Sequence, residues 1–310
     1  MARPTKGGAL LHRRPACWRS FDKDRPAEGG GRRLNAIAEA FIAACRDEIE
    51  APKPGNVHIF ADGHGMTAHD FLRSAEAAAP ALIDPSATVG ARISSAVEAT
   101  FEAVGTNTNL GIILLCAPLA AAAQKGGDLK TGLKTTLAGL TRADAAGAYR
   151  GILRASPAGL GTAPRHDVRG PADVTLLEAM REAAPRDRIA FQYTTDFSDI
   201  FTTGMGVLAD AFGKHWTAPW PVVNVYLAFL SSFPDSHISR KHGLETAAHV
   251  QNEARDAYKS FKTYVNPEDA LPILLSFDRW LKTSGFNPGT SADLTVATVF
   301  ADRLTRILIK

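Results

Sequence analysis

The sequence predicts an all-α protein: a single large multi-helix domain with Gly-rich functional loops. Apolar residues recur at helical spacing in one segment after another, strand-like alternation is almost absent, and Pro- and Gly-rich polar loops separate the helical segments. With 310 residues, 45% apolar and 22% charged, the chain has enough material for a packed core, which excludes a wholly disordered polypeptide.

Residues 1–31 carry Pro, Gly and charge without a sustained apolar period, and they read as a flexible basic extension ahead of a helical catalytic domain spanning 32–310. The first 33 residues hold nine Lys or Arg against three Asp or Glu, a local balance of +6 that leaves the remainder at −3. The extension lacks the interleaved aromatic pattern of a nucleic-acid-binding segment, so neither nucleic acid nor a membrane is expected as a partner. No secretory signal is indicated, because the short apolar stretch at 8–11 is followed at once by His12 and two arginines. Cys17, Cys45 and Cys116 are odd in number and widely spaced, which suits a reducing cytoplasm better than a disulfide framework or a zinc site.

From Leu34, the positions Ile37, Phe41, Ala44, Cys45 and Ile49 keep helical spacing until Pro52 and Pro54 forbid continuation, so a helix delivers the loop from Lys53 to His58. A second polar loop at 62–67 leads into the helical segment that begins near Asp70. A third helix carries Ile93, Val97, Phe101 and Val104 on one face. The polar stretch from Gly105 to Asn109 then precedes an apolar run from Leu110 to Ala123, which is too short to span a bilayer and reads as a buried core helix. Residues 156–173 form the longest interior stretch of loop chemistry, and helical patterns follow near 174–184, 187–213, 220–233, 243–262, 267–283 and 291–309.

Polar groups beside helix ends are the candidates for chemistry, because a helix N-terminus presents unpaired N–H groups and a positive dipole end to phosphate. In the segment from Asn287 to Leu294, Ser291 can cap a helix while Gly289 lets a ligand approach the backbone closely. Lys53 and Asn56 lie in turn chemistry, and Asp235, Arg240 and Lys241 cluster around a further helix start. Each of these segments is equally compatible with ordinary capping. His58, His64, His69, His166, His237 and His242 do not form the paired spacing of a zinc protease, and the common phosphate-loop, dinucleotide and serine-hydrolase motifs are missing.

Taken in order, these segments resemble the triphosphoribosyl-dephospho-CoA synthase family, over about residues 34–305. Residues 53–55 resemble its K-P-G, 71–74 its F-L-x-S, and Thr100 to Gly111 its A-T-x-G-V-N-T-H-K-G stretch. Asp235 to Gly243 resembles its D-T-N loop with a following R-G-G, and 288–294 its P-G-G-S-A-D-L. The resemblance implies an all-α enzyme that uses ATP as substrate and has a ribose hydroxyl of 3′-dephospho-CoA attack the ATP ribose carbon bearing adenine. Three departures stand out: Asn109 and Leu110 replace the family's H-K, Met66 and Thr67 stand for its acidic D-M-D, and His242 replaces a glycine. These departures leave two alternatives open, transfer to another cofactor precursor such as a pterin-type acceptor, and nucleotide binding without turnover.

On this reading Asp235 and Asp293 are the expected catalytic carboxylates and the ligands of a Mg²⁺ ion. Lys53, Arg240 and Lys241 are expected to anchor the triphosphate, Asn107 and Asn109 to hydrogen-bond ribose or base, and Asn56, Gly289 and Ser291 to complete the nucleotide site.

Overall fold

The computed structural model describes residues 29–59, 61 and 65–309, so the expected extension over residues 1–28 lies outside the described residues, as does His64. Among the described residues there are fourteen α-helices and no strand, in agreement with the all-α expectation. The first helix, α1 (Gly29–Glu50), begins inside the stretch read as an extension, so the glycines at 29–31 form its first turn.

The helices α2 (Ala68–Leu82), α3 (Val89–Val104) and α4 (Leu110–Lys125) follow as the periodicity predicts. Next come α5 (Leu129–Ala138) and α6 (Arg142–Ala155), in a Thr-, Ala- and Gly-rich stretch where no helix was assigned from sequence. Local caps set these boundaries: Thr67 with Asp70, and Thr141 with Asp144, each form a reciprocal capping box. Asp144 also accepts from the backbone N–H of Gly90 at 2.8 Å, tying the first turn of α6 to that of α3. The two helices meet through glycines, since a Cβ built on Gly147 would lie 2.4 Å from the backbone of Gly90.

After the long loop come α7 (Leu176–Ala183) and α8 (Arg188–Thr194). The pattern over 187–213, read as one helix, is broken at Asp196 and Phe197, which both take positive φ. A π-helical turn at Asp199–Gly204 then leads into α9 (Met205–Gly213). The chain closes with α10 (Trp220–Ser232), α11 (Ser236–His242), α12 (Leu244–Phe261), α13 (Leu271–Thr283) and α14 (Gly289–Ile309).

Helices α4 and α10 are apolar on nearly all sides, and such helices must be buried. α14 is the spine of the core, packing against α1, α4 and α10 together. No single helix among the described residues is long and apolar enough to cross a membrane. This arrangement brings the first turns of α4 and α14 into contact, with loops from both halves of the chain gathered around them.

Candidate active site

A cavity of about 520 Å³ opens where the first turns of α4 and α14 meet, walled by α7, α11 and the 156–168 loop. Of the residues expected from sequence, Asn56, Asn107, Arg240, Gly289 and Asp293 line it. Lys53, Asn109, Asp235 and Ser291 are buried without lining it, and Lys241 is exposed outside it.

Asp293 sits in the first turns of α14, partly open to the cavity. Its carboxylate lies against Gly111 so closely that a Cβ there would come within 2.0 Å of Oδ2, so a side chain at that position of α4 would have to displace the carboxylate. Asp293 makes no hydrogen bond or ion pair with any side chain or loop donor among the described residues. Burial raises its pKa well above the carboxylate range, the charges of Asp235 and Glu48 add to that, and Arg240 opposes it.

Asp235 differs from its expected role as a base or metal ligand. It is 1% exposed and caps α11, with Oδ1 accepting from the N–H groups of His237 and Ile238. Oδ2 accepts from both the N–H and the hydroxyl of Ser291 at 2.8 Å. Four donors occupy the carboxylate, which therefore fastens α11 to α14 and keeps Ser291 from a ligand. Burial raises Asp235 and these hydrogen bonds oppose the rise.

Lys53 is corrected similarly. It is 0% exposed, and its ammonium donates to the carbonyl of Val57 at 2.7 Å and pairs with Glu48 at 2.9 Å, which leaves it turned away from the cavity. Glu48 does line the cavity and was missed from sequence. The available signal was its position, three residues beyond Cys45 on the apolar face of α1, where an acid has no reason to be unless it is used.

Several polar atoms around the cavity are unoccupied. Asn56 donates from Nδ2 to Asn287 at 2.9 Å, which leaves its buried Oδ1 without a partner. Arg240 binds Asp187 through Nη1 at 2.9 Å while its Nε has no acceptor. At the start of α4, Asn107 accepts from the N–H of Leu110 at 3.1 Å, whereas Asn109 caps nothing and its Nδ2 is unpaired. Buried polar atoms without partners are uncommon in native proteins, and a group of them around one cavity marks a place for a polar ligand. Arg165, which pairs with Glu182 at 2.5 Å, and Arg186 add cationic groups to the wall.

The expected magnesium site does not fit these residues. The oxygens of Asp235 are occupied, and no group of three or more His, Cys, Asp or Glu side chains that could hold a metal occurs among the described residues.

The family model described as ATP:dephospho-CoA triphosphoribosyl transferase matches residues 34–309. No individually curated protein gives a significant match. Among three solved chains that match is a provisionally assigned triphosphoribosyl-dephospho-CoA synthase from Archaeoglobus fulgidus, 24% identical. That alignment covers 74% of this chain and 96% of the other with a TM-score of 0.58, a similarity of fold.

Proposed function

The chain belongs to the ATP:dephospho-CoA triphosphoribosyl transferase family, and from that premise we propose that the cavity at the first turns of α4 and α14 carries out the transfer, with Asp293 as its general base. The enzyme moves the triphosphoribosyl group of ATP to 3′-dephospho-CoA and releases adenine. Neither transfer to a pterin-type acceptor nor nucleotide binding without turnover is favoured by the family match.

In this reading the hydroxyl oxygen of the acceptor forms a bond to the ribose carbon as the bond from that carbon to adenine breaks. The hydroxyl proton passes to Asp293, and in the balanced reaction one proton ends on adenine. A base works best when its pKa lies near the operating pH, and burial moves Asp293 in that direction. Positive charge grows on the sugar ring as adenine departs, and a nearby carboxylate stabilises it.

The triphosphate lies across the first turn of α4 and Arg240, where helix N–H groups and a guanidinium favour anionic oxygen. Arg165 and Arg186, which reach the cavity, take the part expected of Lys53 and Lys241. Asn56 and Asn107 present amide groups to ribose or base. Magnesium enters as part of the MgATP substrate, held by phosphate oxygens and water.

The observation that carries this reading is the carboxyl of Asp293, without a protein partner, at the junction of two helix starts. The test is incubation of the purified full-length protein with MgATP and dephospho-CoA, with free adenine followed by chromatography and the product by mass. Adenine formed only when dephospho-CoA is present, with a product of matching mass, is the expected result. Adenine formed only with a different acceptor would overturn the assignment.

A further inference from the structure

Resting on that functional reading, we propose that Glu48 is a second catalytic carboxylate, facing the reacting ribose opposite the work of Asp293, and that Lys53 is the positioning residue that holds it there.

Glu48 lies on the last turn of α1, is 3% exposed and opens onto the cavity. Its charge acts on Asp293, so the two carboxyl groups share one electrostatic environment. They differ in their partners: Glu48 has an ammonium at 2.9 Å, whereas Asp293 has no countercharge in contact. Burial raises Glu48 and Lys53 opposes that rise, while the pKa of Asp293 is well above its ordinary range. Two carboxyl groups in one cavity with such different surroundings are suited to different tasks. Glu48, with the Lys53 ammonium as its countercharge, stabilises positive charge on the ribose, and Asp293 handles the proton.

Lys53 is fully buried outside the cavity lining, and its ammonium is engaged by Glu48 and the carbonyl of Val57. Its loop is held rigidly: Gly55 donates to Asp278 at 2.8 Å, Tyr226 donates to the carbonyl of Pro54 at 2.5 Å, and Asn56 donates to Asn287. Gly55 adopts φ +81° with Leu281 and Pro288 packed where a side chain would be. A buried ion pair is a poor stabiliser compared with an apolar pair of the same shape, so this costly pair at a cavity wall is accounted for by what its charge does in the cavity.

The test compares wild type, Glu48→Gln, Glu48→Asp, Lys53→Met and the double variant Glu48→Gln/Lys53→Met in acceptor-dependent adenine release from ATP, with thermal melting recorded alongside. Glu48→Gln is expected to lower kcat by about 100-fold or more with little change in KM for ATP, and Glu48→Asp to recover part of the loss. Lys53→Met is expected to lower kcat with little change in KM for ATP, as Glu48→Gln does, since Glu48 then lacks its countercharge. The double variant removes both charges, and it is expected to melt near wild type and remain inactive. Wild-type turnover in the double variant would make the pair structural and overturn the role of Glu48; a wild-type kcat in a folded Lys53→Met protein would overturn that of Lys53. A wild-type protein that releases no adenine with dephospho-CoA overturns the functional reading itself, and this proposal with it.

Discussion

Replacing Asp235 with alanine separates a structural carboxylate from a chemical one. The side chain caps α11 through two N–H groups and reaches Ser291 through two further hydrogen bonds. Loss of an N-cap costs about 0.5–2 kcal/mol. Ser291 is 0% exposed, so its N–H and hydroxyl lose a partner with no water to replace it, at about 1–3 kcal/mol for each group left unsatisfied. Against this stands relief from burying a carboxylate whose pKa burial raises, so a net loss of about 3–5 kcal/mol is expected. That is a large share of the ~5–15 kcal/mol by which folded proteins are stable. Urea unfolding of Asp235→Ala, Ser291→Ala and the double variant measures it. Ser291→Ala alone loses one hydroxyl bond, about 1 kcal/mol, and the double variant is expected to be less destabilised than the sum of the singles because the two share one set of bonds. An Asp235→Ala protein as stable as wild type that releases no adenine would refute the latch and return Asp235 to the chemistry.

Asp293→Asn is expected to abolish adenine release while leaving the fold intact. The folded pKa of Asp293 is raised, so the native state binds more protons than the unfolded chain, and wild-type stability declines as pH rises from the ordinary carboxylate range up through the folded value. The asparagine variant lacks that decline, and melts at pH 5 and pH 8 compared between the two proteins check it. In the wild type, the acid limb of kcat/KM is expected above the unperturbed aspartate value of about 3.9, and a limb at that value would remove Asp293 as the base. Gly111→Ala places a methyl group 2.0 Å from Oδ2 of Asp293 and is expected to drive the carboxylate from its position, lowering kcat in the adenine assay. Gly147→Ala forces α3 and α6 apart and is expected to cost about 1–3 kcal/mol in urea unfolding.

The helical spacing of α1, the unbroken apolar run of α4 and the Ser291 region of α14 were legible in the sequence because periodicity and burial are properties of a single segment. The helices α5 and α6 were not, since their small residues carry a weak apolar stripe and their boundaries depend on caps such as Thr141 with Asp144. The break at Asp196 and Phe197 also escaped, because the composition there continues a helical pattern while the backbone departs from it.

The same division holds for the site. The ordered motifs were enough to point to Asn56, Asn107, Arg240, Gly289 and Asp293, all of which reach one cavity. For Lys53 and Asp235 the local sequence was equally apt for binding a ligand or for joining two helices, and the outcome rested on Glu48 and on Ser291, the latter 56 residues away. A side chain has only as many hydrogen bonds and ion pairs as its atoms allow. Residue order locates each donor, acceptor and charge along the chain, but whether a neighbour has already occupied it is decided only when the helices pack.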